Sequence, residues 1–137
     1  MKNILIIDGQ GGRIGKMLAE RVSEIGGVQI TVVGTNSMAT SAMMKSGVLR
    51  GATGENPVVV LSAEADVIAG PVGIIMANSM LGEITEKMAA AVASSRAEKV
   101  LIPISKCSVA VAGVKEMSLA ALIDDAAEKI SNIVKEA

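Results

Sequence analysis

The N-terminal part of the chain alternates continuous apolar runs with a helical repeat. Residues 4–7 are all apolar, as is typical of a strand buried on both faces. After a glycine-rich turn, apolar residues recur at helical spacing until the two glycines at 26 and 27, and residues 28–33 form the next strand-like segment. This order predicts a βαβ unit with two parallel strands and a right-handed crossover.

The middle of the chain allows two interpretations. Residues 58–61 have the composition of a strand, but only four residues separate them from the next strand-like run at 66–69, and a parallel crossover needs about a dozen. Either the two runs form an antiparallel hairpin, or residues 58–61 belong to a helix that begins at Gly54 under a Thr53 cap. We favour the helix, preceded by a short strand at residues 48–50.

Helices alternate with strands elsewhere in the chain. A helix is expected over residues 37–46, ended by Gly47, and residues 66–69 are expected to form a central strand. An apolar helix is then expected to begin at Gly70-Pro71, with proline at an early helical position, and to end at Leu81 before Gly82.

The C-terminal part should contain two helices and two strands. Thr85 is expected to cap a helix that ends near Ser95, and residues 99–104 to form a strand. Residues 108–114 follow a short turn and are expected to form an antiparallel strand. Ser118 should cap the last helix, whose apolar stripe is Leu119, Leu122, Ile123, Ala126, Ile130 and Ile133. We therefore predict a three-layer α/β/α Rossmann-like fold with a mostly parallel sheet, as a single nucleotide-binding domain over residues 1–137.

Composition narrows the chemistry that is open to this domain. The 137 residues include no aromatic residue, no histidine and one cysteine. No ring can stack on a nicotinamide, a flavin or a base, no imidazole can act as a base, and a zinc or iron–sulfur site is not expected. Carboxylates, lysines, hydroxyl groups and one thiol remain.

Charge and hydropathy indicate where the protein works and what it binds. The net charge of -1 without a basic patch argues against nucleic acid, and no apolar run reaches the roughly 20 residues of a membrane span. One cysteine and an N-terminus that runs directly into a strand predict a cytoplasmic protein without a signal peptide. Half of the residues are hydrophobic, and so high a share in so short a chain predicts a homo-oligomer.

The turn after the first strand carries the strongest functional signal. Gly9, Gly12 and Gly15 match a variant of the dinucleotide fingerprint: the first permits the tight turn, the second lets a pyrophosphate approach, and the third lets the helix pack against the sheet. The helix N-terminus and Arg13 would attract a phosphate. The alternative is a tight turn that binds no ligand. The residues expected to bind the cofactor are Gly9, Gln10, Gly11, Gly12, Arg13, Ile14, Gly15, Thr35, Asn36, Ser37, Gly70 and Pro71.

Two resemblances accompany these motifs. Residues 3–33, with Gly-Gln-Gly-Gly-Arg-Ile-Gly inside them, resemble the cofactor-binding N-terminus of dihydrodipicolinate reductase, which implies NAD(P) binding by Gly9, Gly12, Arg13 and Gly15. The reaction is not implied, because that family's catalytic histidines have no counterpart here. The whole chain resembles a small uncharacterised bacterial family of unknown function in its segments at 34–36, 51–56 and 77–83. That resemblance implies no activity.

Other side chains are candidates because ligands in open parallel sheets lie beyond the carboxyl ends of the strands. Each of them also has an ordinary structural reading as a turn, a cap, a buried residue or a solvated charge. Cys107 would be a reactive thiol if Lys106 lowered its pKa. The full set is Asp8, residues 34–37, residues 70–73, residues 105–107, Lys45, Arg50, Asn78, Ser79 and Glu83.

The residues after the second strand bear on cofactor choice. Thr35, Asn36 and Ser37 stand where dinucleotide-binding folds that prefer NAD carry an acidic residue for the ribose 2′-hydroxyl. Without a carboxylate there, NADP should bind at least as tightly as NAD, with Arg50 or Lys45 supplying positive charge if the loop folds back.

The function expected from these features is a nucleotide-binding module that acts as a sensor, regulator or subunit. One alternative is an oxidoreductase whose active site is completed across a subunit interface. A second is a non-redox enzyme acting on a phosphorylated small molecule. The sequence leaves open whether the protein is an enzyme.

Overall fold

Five parallel strands form one sheet in the order β3-β2-β1-β4-β5, which is the order of the Rossmann fold. The structure is a computed structural model that describes residues 1–104 and 109–136. Its elements are β1 (Lys2–Asp8), α1 (Arg13–Val22), β2 (Val28–Gly34), α2 (Ser37–Met44), β3 (Arg50–Thr53), α3 (Glu55–Ser62), β4 (Val67–Pro71), a short 3₁₀ helix (Val72–Ile75), α4 (Glu86–Ser94), β5 (Glu98–Ile102) and α5 (Leu119–Lys135). The predicted three-layer Rossmann-like α/β fold is confirmed.

Side chains of β1 alternate between two aliphatic cores, one on each face of the sheet. Ile4 and Ile6 pack with residues of α1, α2 and α5, whereas Leu5 and Ile7 pack with residues of α3 and α4. Both cores lack aromatic rings and are filled by Ile, Val, Leu, Met and Ala. The sheet is therefore covered on both sides, as an all-parallel sheet requires.

The helix favoured for the middle of the chain is confirmed, with corrected ends. Residues 58–61 lie within α3 despite their strand-like composition, because the chain needs a crossover between β3 and β4. The strand before it lies at Arg50–Thr53 rather than at residues 48–50. Thr53 is not the cap: Gly54 is, with a φ of 105° and no side-chain hydrogen bond.

Two predicted elements are wrong. Gly70 and Pro71 end β4 instead of beginning a helix, and after the 3₁₀ helix the backbone turns, with left-handed φ angles at Asn78, Met80 and Leu81 that no α-helix contains. The expected antiparallel strand at 108–114 does not form over residues 109–114, where Val114 N–H donates to the Val111 carbonyl in a turn. Residue 108 lies outside the described residues.

The helical caps at the C-terminal end follow the sequence closely. Thr85 accepts a hydrogen bond from the Met88 N–H (3.1 Å) at the start of α4, and Ser118 accepts one from the Ala121 N–H (3.1 Å) at the start of α5. Neither these nor any other helix in residues 1–104 and 109–136 has the length and apolar character to cross a bilayer.

Candidate functional site

The carboxyl edge of the sheet brings the predicted site residues of the first two strands together. Asp8 ends β1 and lies beside Gly34, which ends β2. The turn at residues 9–15, here called the glycine turn, continues from β1, and Thr35 continues from β2 with its N–H donating to the Asp8 carbonyl (3.0 Å). The edge is thus the place where the Rossmann fold holds its ligands.

Asp8 organises the glycine turn from inside. Its buried carboxylate accepts hydrogen bonds from the N–H groups of Gly9 (2.8 Å) and Gly15 (2.7 Å), so it caps the first turn of α1. Burial raises the pKa of Asp8, as does the nearby charge of Glu83, against the lowering effect of the backbone N–H donors. Because both carboxylate oxygens are already bonded and enclosed, this shifted pKa belongs to a structural group.

Gly12 has a packing role between two helices. Its φ is 72°, and a Cβ added there would lie 2.7 Å from the carbonyl oxygen and 2.9 Å from the Cα of Ala39 in α2. Gly12 therefore permits close contact between α1 and α2, and the side of the residue on which a Cβ would lie is covered by Ala39. A valine at this position would disrupt the fold as well as any binding.

Gly15 has the packing role expected of it. A Cβ added there would lie 2.8 Å from the Cβ of Asp8 and would overlap Met43 of α2. The absence of a side chain therefore lets α1 approach the sheet and its neighbouring helix.

The open side of the glycine turn lies at Gly11 and Arg13. Gly11 is exposed, and a Cβ added there would meet no heavy atom within 4 Å. The backbone N–H groups of Gly11 and Arg13 have no acceptor among residues 1–104 and 109–136. The Arg13 side chain is exposed and pairs with no carboxylate in that part of the chain.

Glu83 closes the other side of the glycine turn. One oxygen, Oε1, accepts hydrogen bonds from the Gln10 N–H (2.8 Å), the Thr35 hydroxyl (2.5 Å) and the Asn36 side-chain amide (2.9 Å). Burial raises the pKa of Glu83, but the hydrogen bonds from Thr35, Gln10 and Asn36 outweigh it and leave the pKa below its ordinary value. Glu83 is therefore a carboxylate at neutral pH.

The loop that carries Glu83, residues 76–84, is held in place by its own hydrogen bonds and is here called the covering loop. The Asn78 N–H donates to the Ile84 carbonyl (2.7 Å), and the buried Ser79 hydroxyl donates to the Gly73 carbonyl (2.5 Å). Met80 lies over the glycine turn, since a Cβ added at Gly9 would be 2.7 Å from its sulfur. Of the three candidates in this loop, only Glu83 reaches the glycine turn with a polar group; Ser79 holds the loop together, and Asn78 is exposed.

The remaining candidates separate into those near the carboxyl edge and those away from it. Asn36 caps α2 by accepting a hydrogen bond from the Ala39 N–H (2.9 Å), and Ser37 is the exposed first residue of that helix. Gly70 and Pro71 are buried in β4, so they offer no helix N-terminus to a ligand. Residues 105–107, with the candidates Lys106 and Cys107, lie outside the described residues.

Arg50 and Lys45 do not reach the carboxyl edge. Arg50 begins β3 opposite Thr31, to whose hydroxyl its Nε donates (3.0 Å), three residues before the strand ends opposite Gly34. Lys45 follows the C-terminus of α2, and the helix runs from the carboxyl edge of β2 back toward the start of β3. The expectation that either residue supplies positive charge to a ribose phosphate is therefore not met.

Within residues 1–104 and 109–136, no three carboxylate or thiol groups are placed to hold a metal.

The Glu83 network could have been anticipated only in part, because the sequence marks Glu83 as a candidate but does not show which strand it meets.

Comparison with known proteins gives one match. A family model described as "Domain of unknown function (DUF3842)" matches residues 3–135. Neither the curated proteins nor the solved structures contain a match to this chain. The resemblance of residues 3–33 to dihydrodipicolinate reductase stays a prediction.

Proposed function

The chain belongs to the DUF3842 family, and we propose that it binds a nucleotide, most simply the dinucleotide NAD or NADP, at the open side of its glycine turn. The observation that carries this proposal is the uncovered backbone from Gly11 to Arg13. Two N–H groups that have no acceptor among the described residues, an exposed guanidinium and the N-terminus of α1 lie together there. Such a combination favours the oxygens of a phosphate.

The ligand position follows from which parts of the turn are already occupied. Asp8 takes the N–H groups of Gly9 and Gly15, Glu83 takes that of Gln10, and Ala39 covers Gly12. Among the described residues, the donors of the turn that lack an acceptor are the N–H groups of Gly11 and Arg13. A phosphate therefore approaches from the exposed face at Gly11 and not over Gly12.

The structure favours a binding role over catalysis at this edge. Asp8, whose pKa is raised by burial, has both oxygens bonded to backbone, and Glu83 is an acceptor with a lowered pKa. Neither is a free acid or base in its present environment. We accordingly propose a nucleotide-dependent sensor, regulator or subunit.

Isothermal titration calorimetry with NAD, NADP, flavin nucleotides and mononucleotides tests this proposal. Because the chain has no aromatic residue, any nucleotide that copurifies is also visible in the near-ultraviolet spectrum. We expect one of these ligands to bind, and we expect Gly11→Val to weaken its binding by at least about tenfold, since a branched side chain would block the approach of the phosphate.

Gly26→Val is the matched control. Gly26 lies in the loop before β2, at the opposite edge of the sheet, and a Cβ added there also meets nothing within 4 Å. It should leave affinity unchanged. The proposal fails if none of these nucleotides binds the wild type, or if Gly11→Val binds as tightly as the control.

We also propose a homo-oligomer that uses residues 109–117, which precede α5. Val109, Val111, Val114 and Met117 are 44–46% exposed, and β5 is an edge strand of the sheet. An edge strand next to exposed apolar side chains is a common site of association between chains.

A further inference from the structure

Glu83 supplies a carboxylate at a position where the local sequence has none. The residues that follow β2 are Thr35, Asn36 and Ser37, which carry hydroxyl and amide groups. The covering loop, which follows β4 in the chain, brings Glu83 to within hydrogen-bond distance of the first two. The negative charge at the end of β2 therefore comes from the covering loop and not from the residues that follow β2.

The Glu83 carboxylate is fixed through one oxygen and open at the other. Oε1 takes all three hydrogen bonds from Gln10, Thr35 and Asn36, and Oε2 has no donor among residues 1–104 and 109–136. The residue as a whole is partly exposed. A held carboxylate with a free oxygen is suited to accept hydrogen bonds from hydroxyl groups of a ligand.

Glu83 occupies the position that a ribose-binding carboxylate takes in dinucleotide-binding folds. It lies between the glycine turn and the end of β2, which in dinucleotide-binding folds is the position of the acidic residue that binds the adenosine ribose. Neither Arg50 nor Lys45 is near enough to neutralise the charge of Glu83. Arg50 lies at the start of β3 and Lys45 at the C-terminus of α2, both away from the carboxyl edge of the sheet. A phosphate on the 2′-oxygen would meet this carboxylate directly.

We infer that Glu83 binds the ribose diol of the nucleotide through Oε2 and selects against a ribose that carries a 2′-phosphate. This inference rests on the proposed nucleotide binding at the glycine turn. It reverses the cofactor preference expected from residues 35–37 alone, because the carboxylate missing from that segment is supplied in space. The wild type should prefer NAD to NADP.

The test measures the affinities of NAD and NADP for the wild type, for Glu83→Gln and for Glu86→Gln. Glutamine keeps the size of Glu83 and an oxygen that can accept the three existing hydrogen bonds, while it removes the charge. Glu86 is an exposed residue at the start of α4 with no side-chain hydrogen bond or ion pair within the described residues, so its variant is the control. We expect the wild type and the control to bind NAD at least about tenfold more tightly than NADP, and Glu83→Gln to bring the two affinities within about threefold.

A second comparison, of ADP with 2′-deoxy-ADP, isolates the hydroxyl contact. Loss of the 2′-hydroxyl should weaken binding to the wild type by about tenfold and have a clearly smaller effect in Glu83→Gln. A purely structural Glu83 would give the same ratio in both proteins. If Glu83→Gln does not fold, as judged by far-ultraviolet circular dichroism, the ratio of the NAD and NADP affinities of the wild type still tests the inference, because a wild type without a preference for NAD refutes it.

The outcomes separate this inference from the function on which it rests. If both dinucleotides bind the wild type and NADP binds as tightly as NAD, or if the ratio is the same in Glu83→Gln, the role of Glu83 is refuted and nucleotide binding stands. If no nucleotide binds the wild type, the proposed function fails and the inference fails with it.

Discussion

The glycine turn offers a prediction about stability that does not depend on any ligand. Gly12→Ala places a Cβ 2.7 Å from the Ala39 carbonyl oxygen and 2.9 Å from its Cα, and these are backbone atoms of α2 that cannot rotate away. The residue must also keep a φ of 72°, which disfavours every side chain that contains a Cβ. The substitution therefore combines a steric overlap with backbone strain.

The expected cost follows from these two effects. A left-handed alanine costs about 1–2 kcal/mol and an overpacked contact about 1–3 kcal/mol, so Gly12→Ala should lower the free energy of unfolding by about 2–5 kcal/mol. This is a large part of the roughly 5–15 kcal/mol that holds a typical domain folded. Gly11→Ala is the paired control, since its Cβ meets no atom within 4 Å and its φ lies outside the left-handed region. It should change the free energy by no more than about 0.5–1 kcal/mol, in either direction.

Urea unfolding followed by circular dichroism at a helical wavelength measures both variants. Intrinsic fluorescence is not an option in a chain without tryptophan or tyrosine. Equal unfolding midpoints for the two variants, at equal denaturant slopes, would refute the packing argument and would mean that α2 moves away from α1 at little cost.

Two further predictions concern charge and association. Because the pKa of Glu83 is lowered in the folded protein, its ionised form adds stability above its ordinary pKa, and this contribution is lost as the pH falls through the folded pKa. The stability gap between wild type and Glu83→Gln in urea unfolding should therefore be full at neutral pH and should shrink as the pH falls below the ordinary pKa of glutamate. A gap that stays constant over this range would show that the charge is not its cause. Sedimentation velocity at micromolar concentration should show an oligomer, and Val111→Glu should weaken it. Val60→Glu is the control, because Val60 on α3 is 48% exposed and Val111 is 46% exposed, and this variant should leave the oligomer unchanged. A monomeric wild type would contradict this proposal.

The sequence predicts well those parts of the fold in which local pattern and topology agree. The apolar run of β1, the helical repeat of α1 and the Ser118 cap of α5 all give elements where they are expected. Residues 58–61 show the more useful case. Their composition favours a strand, yet the length of a parallel crossover indicates the helix that is observed.

The failures arise where distant contacts override local composition. Residues 72–81 are apolar enough for a helix, but the covering loop turns back so that Glu83 reaches Thr35 and Gln10. The backbone of that loop contains left-handed Met80 and Leu81, and nothing in the identity of these residues predicts such angles. For the same reason, the sequence could mark Glu83 as a candidate without indicating that it lies at the end of β2.

The Glu83 network also has a consequence for how the carboxyl edge of the sheet is assembled. Its hydrogen bonds join residues that are 47, 48 and 73 positions apart, and they tie the loop after β4 to the connections that follow β1 and β2. Contacts of such sequence separation close large loops, so forming them carries an entropic cost that local contacts do not. The βαβ unit at residues 2–34 contains the glycines but lacks this carboxylate, and a fragment of that length would present the motif without the finished edge. The proposed binding of a nucleotide is therefore expected to require a chain that extends beyond β4 to Glu83.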